Sequence, residues 1–188
     1  MPNISEVTAG KPKIGGHVYR APIGTALPED ATTALGEAYI DMGYISEDGV
    51  TNTTELETQS IKDWGGSIVL IIQTSKEDKF KAKFISALNP EVQKMVYGDD
   101  NVIGTAADET GGLVVKVNSK ELQQYVYVFE MVATGNIAHR VVIPCGKPVE
   151  IGDITYKSDE AVGYEVTLGC AAYNSDGDTQ INYWGTSE

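Results

Sequence analysis

Imidazole and thiol chemistry has almost nothing to work with in this chain: 188 residues hold two His and two Cys. Cys145 and Cys170 are too few for a fold built on disulfides, and both read as small core residues. His17 stands in a Gly-rich stretch and His139 beside Arg140. Neither has the close His or Cys neighbour that a zinc site needs, so both read as surface or internally satisfied side chains. The Walker loop, G-x-G-x-x-G, G-x-S-x-G and H-E-x-x-H are all absent. Asn174-Ser175-Asp176-Gly177-Asp178 begins like a calcium loop but lacks the following Gly and the distal Glu, which leaves a hairpin turn as the better reading. The acidic pairs Asp99-Asp100, Asp108-Glu109 and Asp159-Glu160 fall in expected loops, where solvation explains them. These absences point away from an enzyme and imply no metal and no cofactor.

Positive charge is also scarce. Lys plus Arg number 14 against 27 for Asp plus Glu, a formal charge of −13. So negative a chain has no counterion-release drive toward phosphate, which disfavours ordinary nucleic-acid binding. Repulsion still suits a conduit that must not grip DNA. Long hydrophobic runs are missing too: the longest, residues 68–72, is strand-sized, far from the roughly 20 apolar residues that span a membrane. The start, Met1-Pro2-Asn3-Ile4-Ser5-Glu6, has neither the basic nor the apolar region of a signal peptide, so the expectation is a protein made and used without export.

What is present favours strands and turns: ten Tyr, 20 Gly and many Val, Ile and Thr, with 41% hydrophobic residues to build a core. The length suits one domain over residues 1–188. Residues 1–37 are punctuated by Gly and Pro, with Ile14, Val18, Tyr19, Ile23 and Leu27 as apolar anchors. An extended arm that orders against a neighbour fits this better than disorder. A short strand near residues 38–42 leads to Asp48-Gly49, a turn signal. Residues 43–60 are acidic and Thr-rich, with little to bury, and read as a long exposed loop or ribbon.

Residues 67–74 are apolar on both faces and predict a strand covered on both sides. Residues 79–87 alternate, with Phe80, Ala82 and Phe84 on one face and Lys79, Lys81 and Lys83 on the other. Those lysines are either a solvated face or a seam for an acidic neighbour such as Glu55 and Glu57. Asn89, Pro90, Glu91 and Gly98 are the cap, first-turn and stop residues of one helix over residues 89–98, with Leu88, Val92, Met95 and Val96 as its apolar stripe. Further strands are expected at residues 113–118, 123–133, 137–145, 149–156 and 161–173. The strand at 123–133 is apolar on both faces, and the one at 149–156 slips phase at Gly152-Asp153, a predicted bulge. Residues 180–184 are expected to pair back on 161–173 as a hairpin.

The segment Gly16-His17-Val18-Tyr19-Arg20-Ala21-Pro22-Ile23-Gly24-Thr25-Ala26-Leu27-Pro28 resembles the N-terminal signature of siphophage tail tube proteins. The likeness continues through Leu35, Gly43-Tyr44-Ile45-Ser46-Glu47-Asp48-Gly49-Val50, Ile61, Trp64 and the helix ending in Val96-Tyr97-Gly98. The resemblance implies two packed antiparallel sheets with one flanking helix. It also implies subunits that share a barrel around a lumen, in hexameric rings stacked into a tail tube that delivers the genome. It further implies partners: further copies of the chain, a tail-tip initiator, a tape measure and a terminator. DNA would pass through without specific binding, and assembly would take place in the bacterial host cytoplasm. Expected assembly residues are Ala21, Pro22, Gly24, Thr25 and Pro28 in the arm, Asp48, Gly49, Glu55 and Glu57 in the loop, and Lys79, Lys81 and Lys83. The rival reading is a stand-alone β-sandwich that binds carbohydrate or a cell surface through exposed Tyr and Trp.

Overall fold

The computed structural model describes residues 11–105 and 112–186. Residues 1–10 of the expected arm, with Asp108 and Glu109, lie outside the described residues, as do the side chains of Ile14 and His17. Where Val, Ile, Thr and Tyr dominate, the chain forms strands: β1 Lys11–Pro22, β2 Ile40–Asp41, β3 Ile45–Lys62, β4 Ile68–Phe84, β5 Val102–Gly104, β6 Leu113–Val115, β7 Tyr125–Ala133, β8 Ile137–Ile151, β9 Tyr164–Cys170 and β10 Ile181–Thr186. They form two antiparallel sheets. One has the order β2-β1-β7-β8-β9-β4-β3, with β10 also on β8; the other is the β5–β6 hairpin.

The large sheet folds over on itself, and β8 is the reason. One edge of β8 pairs with β7; the other pairs with β10 through Val142 and, past Pro144, with β9 from Gly146 onward. The two halves then face each other, and Phe80 of β4 stacks on Phe129 of β7 with ring centroids 5.6 Å apart, although β8 and β9 lie between those strands in the sheet. A first core fills the fold with Val18, Phe80, Phe84, Tyr127, Phe129, Ile143, Val166 and Leu168. A second, on the outer face of β7 and β8, holds Ala21, Tyr39, Val126, Val128 and Val142 under Leu27, Leu35 and Tyr183. Strand β7 is thus covered on both faces, as its sequence predicts.

The single α-helix among the described residues, α1, spans Pro90–Tyr97. Asn89 accepts a hydrogen bond from the Glu91 amide, Pro90 opens the first turn, and the Gly98 amide donates to the Lys94 carbonyl. Val92, Met95 and Val96 pack into the first core, but Leu88 does not: it precedes the cap and is exposed.

Several expectations need correction. Residues 43–60 are not a loop from Ile45 on but β3, the exposed-ribbon alternative, because β-branched Thr residues satisfy their backbone by pairing with β4 without needing a core. Asp48-Gly49 does not end a strand; Gly49, at φ 75°, sits at a register shift inside β3, a bulge that requires the left-handed conformation. Residues 67–74 and 79–87 are one strand, β4, and residues 137–145 and 149–156 are joined in β8, which ends at Ile151. The bulge lies between Pro148 and Glu150 rather than at Gly152-Asp153. Strand β10 pairs with β8, not β9, since β8 offers the longer unpaired edge. The arm from Lys11 to Pro22 is extended, yet it is a strand of this chain's own sheet. Cys145 and Cys170 are free and only half-buried; burial and the nearby Asp78 push the Cys170 thiol up to about 12.

Two buried arginines fasten the chain leaving β1. Arg20 bonds Glu91 at 2.5 Å and Asp99 at 3.1 Å and lies over the Tyr125 ring at 4.2 Å, tying β1 to the helix. Burial disfavours its charge, but Asp99 and Glu91 outweigh that and raise its pKa. Arg140 of β8 bonds Glu130 and donates to the carbonyls of Asp30 and Thr33, each at 2.8 Å.

Replacing Arg140 by Ala removes one partner of a buried ion pair and both carbonyl bonds, and should destabilise the fold by about 3–5 kcal/mol. Hydrogen exchange should rise first in residues 23–38, and protection there equal to wild type would refute the clamp. Tyr127 buries its hydroxyl without a hydrogen-bond partner among the described residues. Tyr127→Phe should therefore raise the thermal midpoint; a lowered midpoint would mean that the hydroxyl is satisfied after all.

Candidate assembly surface

Beyond Asp78, β4 loses its β9 neighbour and runs on with β3 alone. Residues 68–77 extend about 30 Å at the strand rise, as a two-stranded ribbon clear of the sheet. At its tip Asp63 builds the turn, accepting from the amides of Gly66 at 3.1 Å and Ser67 at 2.8 Å.

This ribbon is apolar where none of the described residues covers it. Ile68, Val69, Leu70, Ile71 and Ile72 are 43–61% exposed, and Trp64 at the tip is fully exposed. The register places Ile61 opposite Leu70, Ser60 opposite Ile71 and Gln59 opposite Ile72. With period-two alternation up to the register shift between Ile61 and Lys62, Ile61, Leu70 and Ile72 share one face and Ile71 lies on the other, beside Ser60. Among the described residues, the apolar cover predicted for residues 67–74 is therefore missing. The apolar run was visible in the sequence; that the acidic, Thr-rich stretch is its partner strand was not.

Isolated two-stranded ribbons are marginal in water, and an open strand edge invites pairing. The outer edge of β3, Ile45–Lys62, is such an edge. Covering the half-exposed side chains of residues 68–72 is worth on the order of 5 kcal/mol before the costs of association. That outweighs what exposed ion pairs contribute, so apolar contact rather than charge would drive any docking here.

The charged residues expected to act in assembly are partly satisfied inside the subunit. Lys79 Nζ lies 2.7 Å from Glu55 and 3.2 Å from Glu77, and Lys81 lies 2.8 Å from Glu165. These bonds raise the pKa of both lysines. The Ser75 hydroxyl donates to Glu57 at 3.1 Å, and the Ser46 hydroxyl to Asp48 at 3.0 Å. The arm residues lie elsewhere: β7, β8 and β9 separate β1 from β4. Ala21 is buried in the second core, and Pro22 accepts from Thr25 through both its amide and its hydroxyl. Gly24 takes φ 91° beside that turn, and Pro28 is half-buried. His139 stacks on Trp184 at 3.5 Å and contacts Asn182, a satisfied side chain. Asn174 accepts from the amides of Asp176 and Asp178, forming the turn expected there.

A family model described as Phage tail tube protein matches residues 5–188. The chain belongs to the phage tail tube protein family. No curated protein sequence matches it. Tail tube proteins are structural components of the virion tail that self-assemble into a tube with other tail proteins. An uncovered ribbon and an open edge suit such a polymer subunit, as they would not suit an independent monomer.

Charge reversal separates solvated lysines from structural ones. Changing Lys79, Lys81 and Lys83 together to Glu sets like charges against Glu55, Glu77 and Glu165, and should leave the tail tube subunit folded. Amide exchange in β3 around Glu55 should become faster. Exchange unchanged from wild type would assign those lysines to solvent.

Proposed function

We propose that six copies of this chain close into a ring and that rings stack into the tail tube, a conduit through which the genome reaches the host. The observation that carries this reading is the ribbon with uncovered apolar side chains on both faces. A neighbouring copy supplies the missing cover, and pairing at the outer edge of β3 removes the edge that would otherwise aggregate. A residual charge of −13 keeps subunits apart until apolar contact prevails, and a net negative lumen lets DNA slide without a salt-dependent grip.

In the same reading Ala21, Pro22, Gly24, Thr25 and Pro28 contact neighbouring subunits, as do Asp48, Gly49, Glu55, Glu57 and the three lysines of β4. A tail-tip initiator starts the polymer, a tape measure occupies it and a terminator ends it, all within the host cytoplasm. The rival carbohydrate platform has little support: Trp64 stands at the ribbon tip, whereas Trp184 stacks on His139 of β8.

Electron microscopy of the purified protein tests this. Hexameric rings or tubes are expected at high concentration or on addition of the initiator, and closed rings of another symmetry would refute the hexamer. Replacing residues 56–76 with a tight turn, which joins the facing pair Glu55 and Glu77, should leave a folded, soluble subunit that forms no tubes. An unfolded subunit would place the ribbon in the core instead.

A further inference from the structure

The ribbon leaves the sheet at Asp78, the last β4 residue paired with β9, where Cys170 is its partner. Asp78 continues the inward row of Phe84, Ala82 and Phe80, yet it is a carboxylate and only 2% exposed. A charge buried at the end of an apolar row needs compensation. The Thr54 hydroxyl, from the cross-strand position on β3, donates to Oδ1 at 2.6 Å, and the Thr179 hydroxyl donates to Oδ2 at 2.7 Å. Lys76 Nζ stands 3.5 Å away. Burial works against the charge, but the Thr179 and Thr54 bonds and Lys76 outweigh it and lower the carboxyl's pKa.

Thr179 belongs to the segment joining β9 to β10. That segment is stiffened by the Asn174 side-chain bonds and by the Tyr173 amide donating to the Asp178 carbonyl at 3.0 Å. Its next residue, Gln180, accepts from Asn52 of β3 at 3.4 Å, and the segment then enters β10, which is anchored on β8. The connection between β9 and β10 is thus tied to the ribbon's base by two successive residues and to the body of the sheet at both ends.

We propose that Asp78 is a positioning residue which, through Thr179, fixes the direction in which the β3–β4 ribbon projects, so that the subunit offers a rigid prong to the next copy. A ribbon held by backbone pairing alone would swing about its base and lose that freedom on docking. The proposal rests on the tube reading for its consequence in assembly, but the rigidity belongs to the isolated subunit and is measured there.

Thr179→Val removes one hydroxyl at nearly constant shape and leaves Thr54, Lys76 and the β10 pairing in place; Thr179→Ser keeps the hydroxyl. Spin labels at Thr58→Cys and Thr186→Cys, with Cys145→Ala and Cys170→Ala, report the ribbon's direction by pulsed electron resonance. A narrow distance distribution is expected for the parent and for Thr179→Ser, and a broad one for Thr179→Val. Tube growth from sheared tube seeds, measured in unlabelled protein, should slow about tenfold in Thr179→Val, as for loss of one hydrogen bond to a charged group, and recover in Thr179→Ser. A distribution as narrow in Thr179→Val as in the parent overturns the proposal. So does a Thr179→Ser variant that behaves like Val, which would make shape rather than the bond responsible. Broadening with unchanged growth would remove the link to assembly. Should the parent form no tubes at all, the tube reading fails, while the distances still decide whether Asp78 and Thr179 hold the ribbon.

Discussion

The architecture depends on β8 serving two sets of neighbours. Along one edge it pairs with β7; along the other it pairs with β10 through Val142 and with β9 from Gly146. Between those stretches lies Pro144, which has no N–H to donate, and the β9 stretch opens on Gly146, where a Cβ would come within 2.6 Å of the Tyr127 ring. A strand with a gap in its ladder and a missing side chain can carry the sheet round on itself. The first core, the Phe80–Phe129 stack and the seat of the helix all follow from that turn.

Two cations hold what the folded sheet leaves loose. In a chain with nearly twice as many acids as bases, Arg20 and Arg140 are both almost fully buried, and each binds several groups at once. Arginine suits this use because its planar fork satisfies carboxylates and carbonyls together and stays charged when buried. One ties β1 to the helix; the other ties residues 30–33 to β8. The segment carrying Leu27 and Leu35 is thereby held over the second core.

The ribbon reverses this economy. Its two strands pair with each other, while their outer edges and apolar side chains remain uncovered, so the subunit is complete as a fold and incomplete as a surface. Membership of the tail tube family makes sense of that division. An extended ribbon about 30 Å long keeps its apolar side chains out of reach of the core of its own subunit.

Local chemistry was legible in the residues alone. The Asn89 cap, Pro90 and Gly98 defined the helix because capping is settled within a few residues. The double-sided apolar pattern of residues 123–133 announced a strand buried on both faces, and the arm motif pointed to the family. Partnership was not legible. Nothing local says that β10 pairs with β8 instead of β9, that an acidic Thr-rich stretch is a strand, or that an apolar run belongs outside the core, because pairing and burial depend on residues distant in sequence. The same limit left the pairing of Lys79 with Glu55, 24 positions away, as one of two alternatives, and hid that of Asp78 with Thr179, 101 positions away. Composition and periodicity thus determined the β-rich class and the one capped helix; the turn of β8 decided which strands meet, and with it which apolar face was left uncovered.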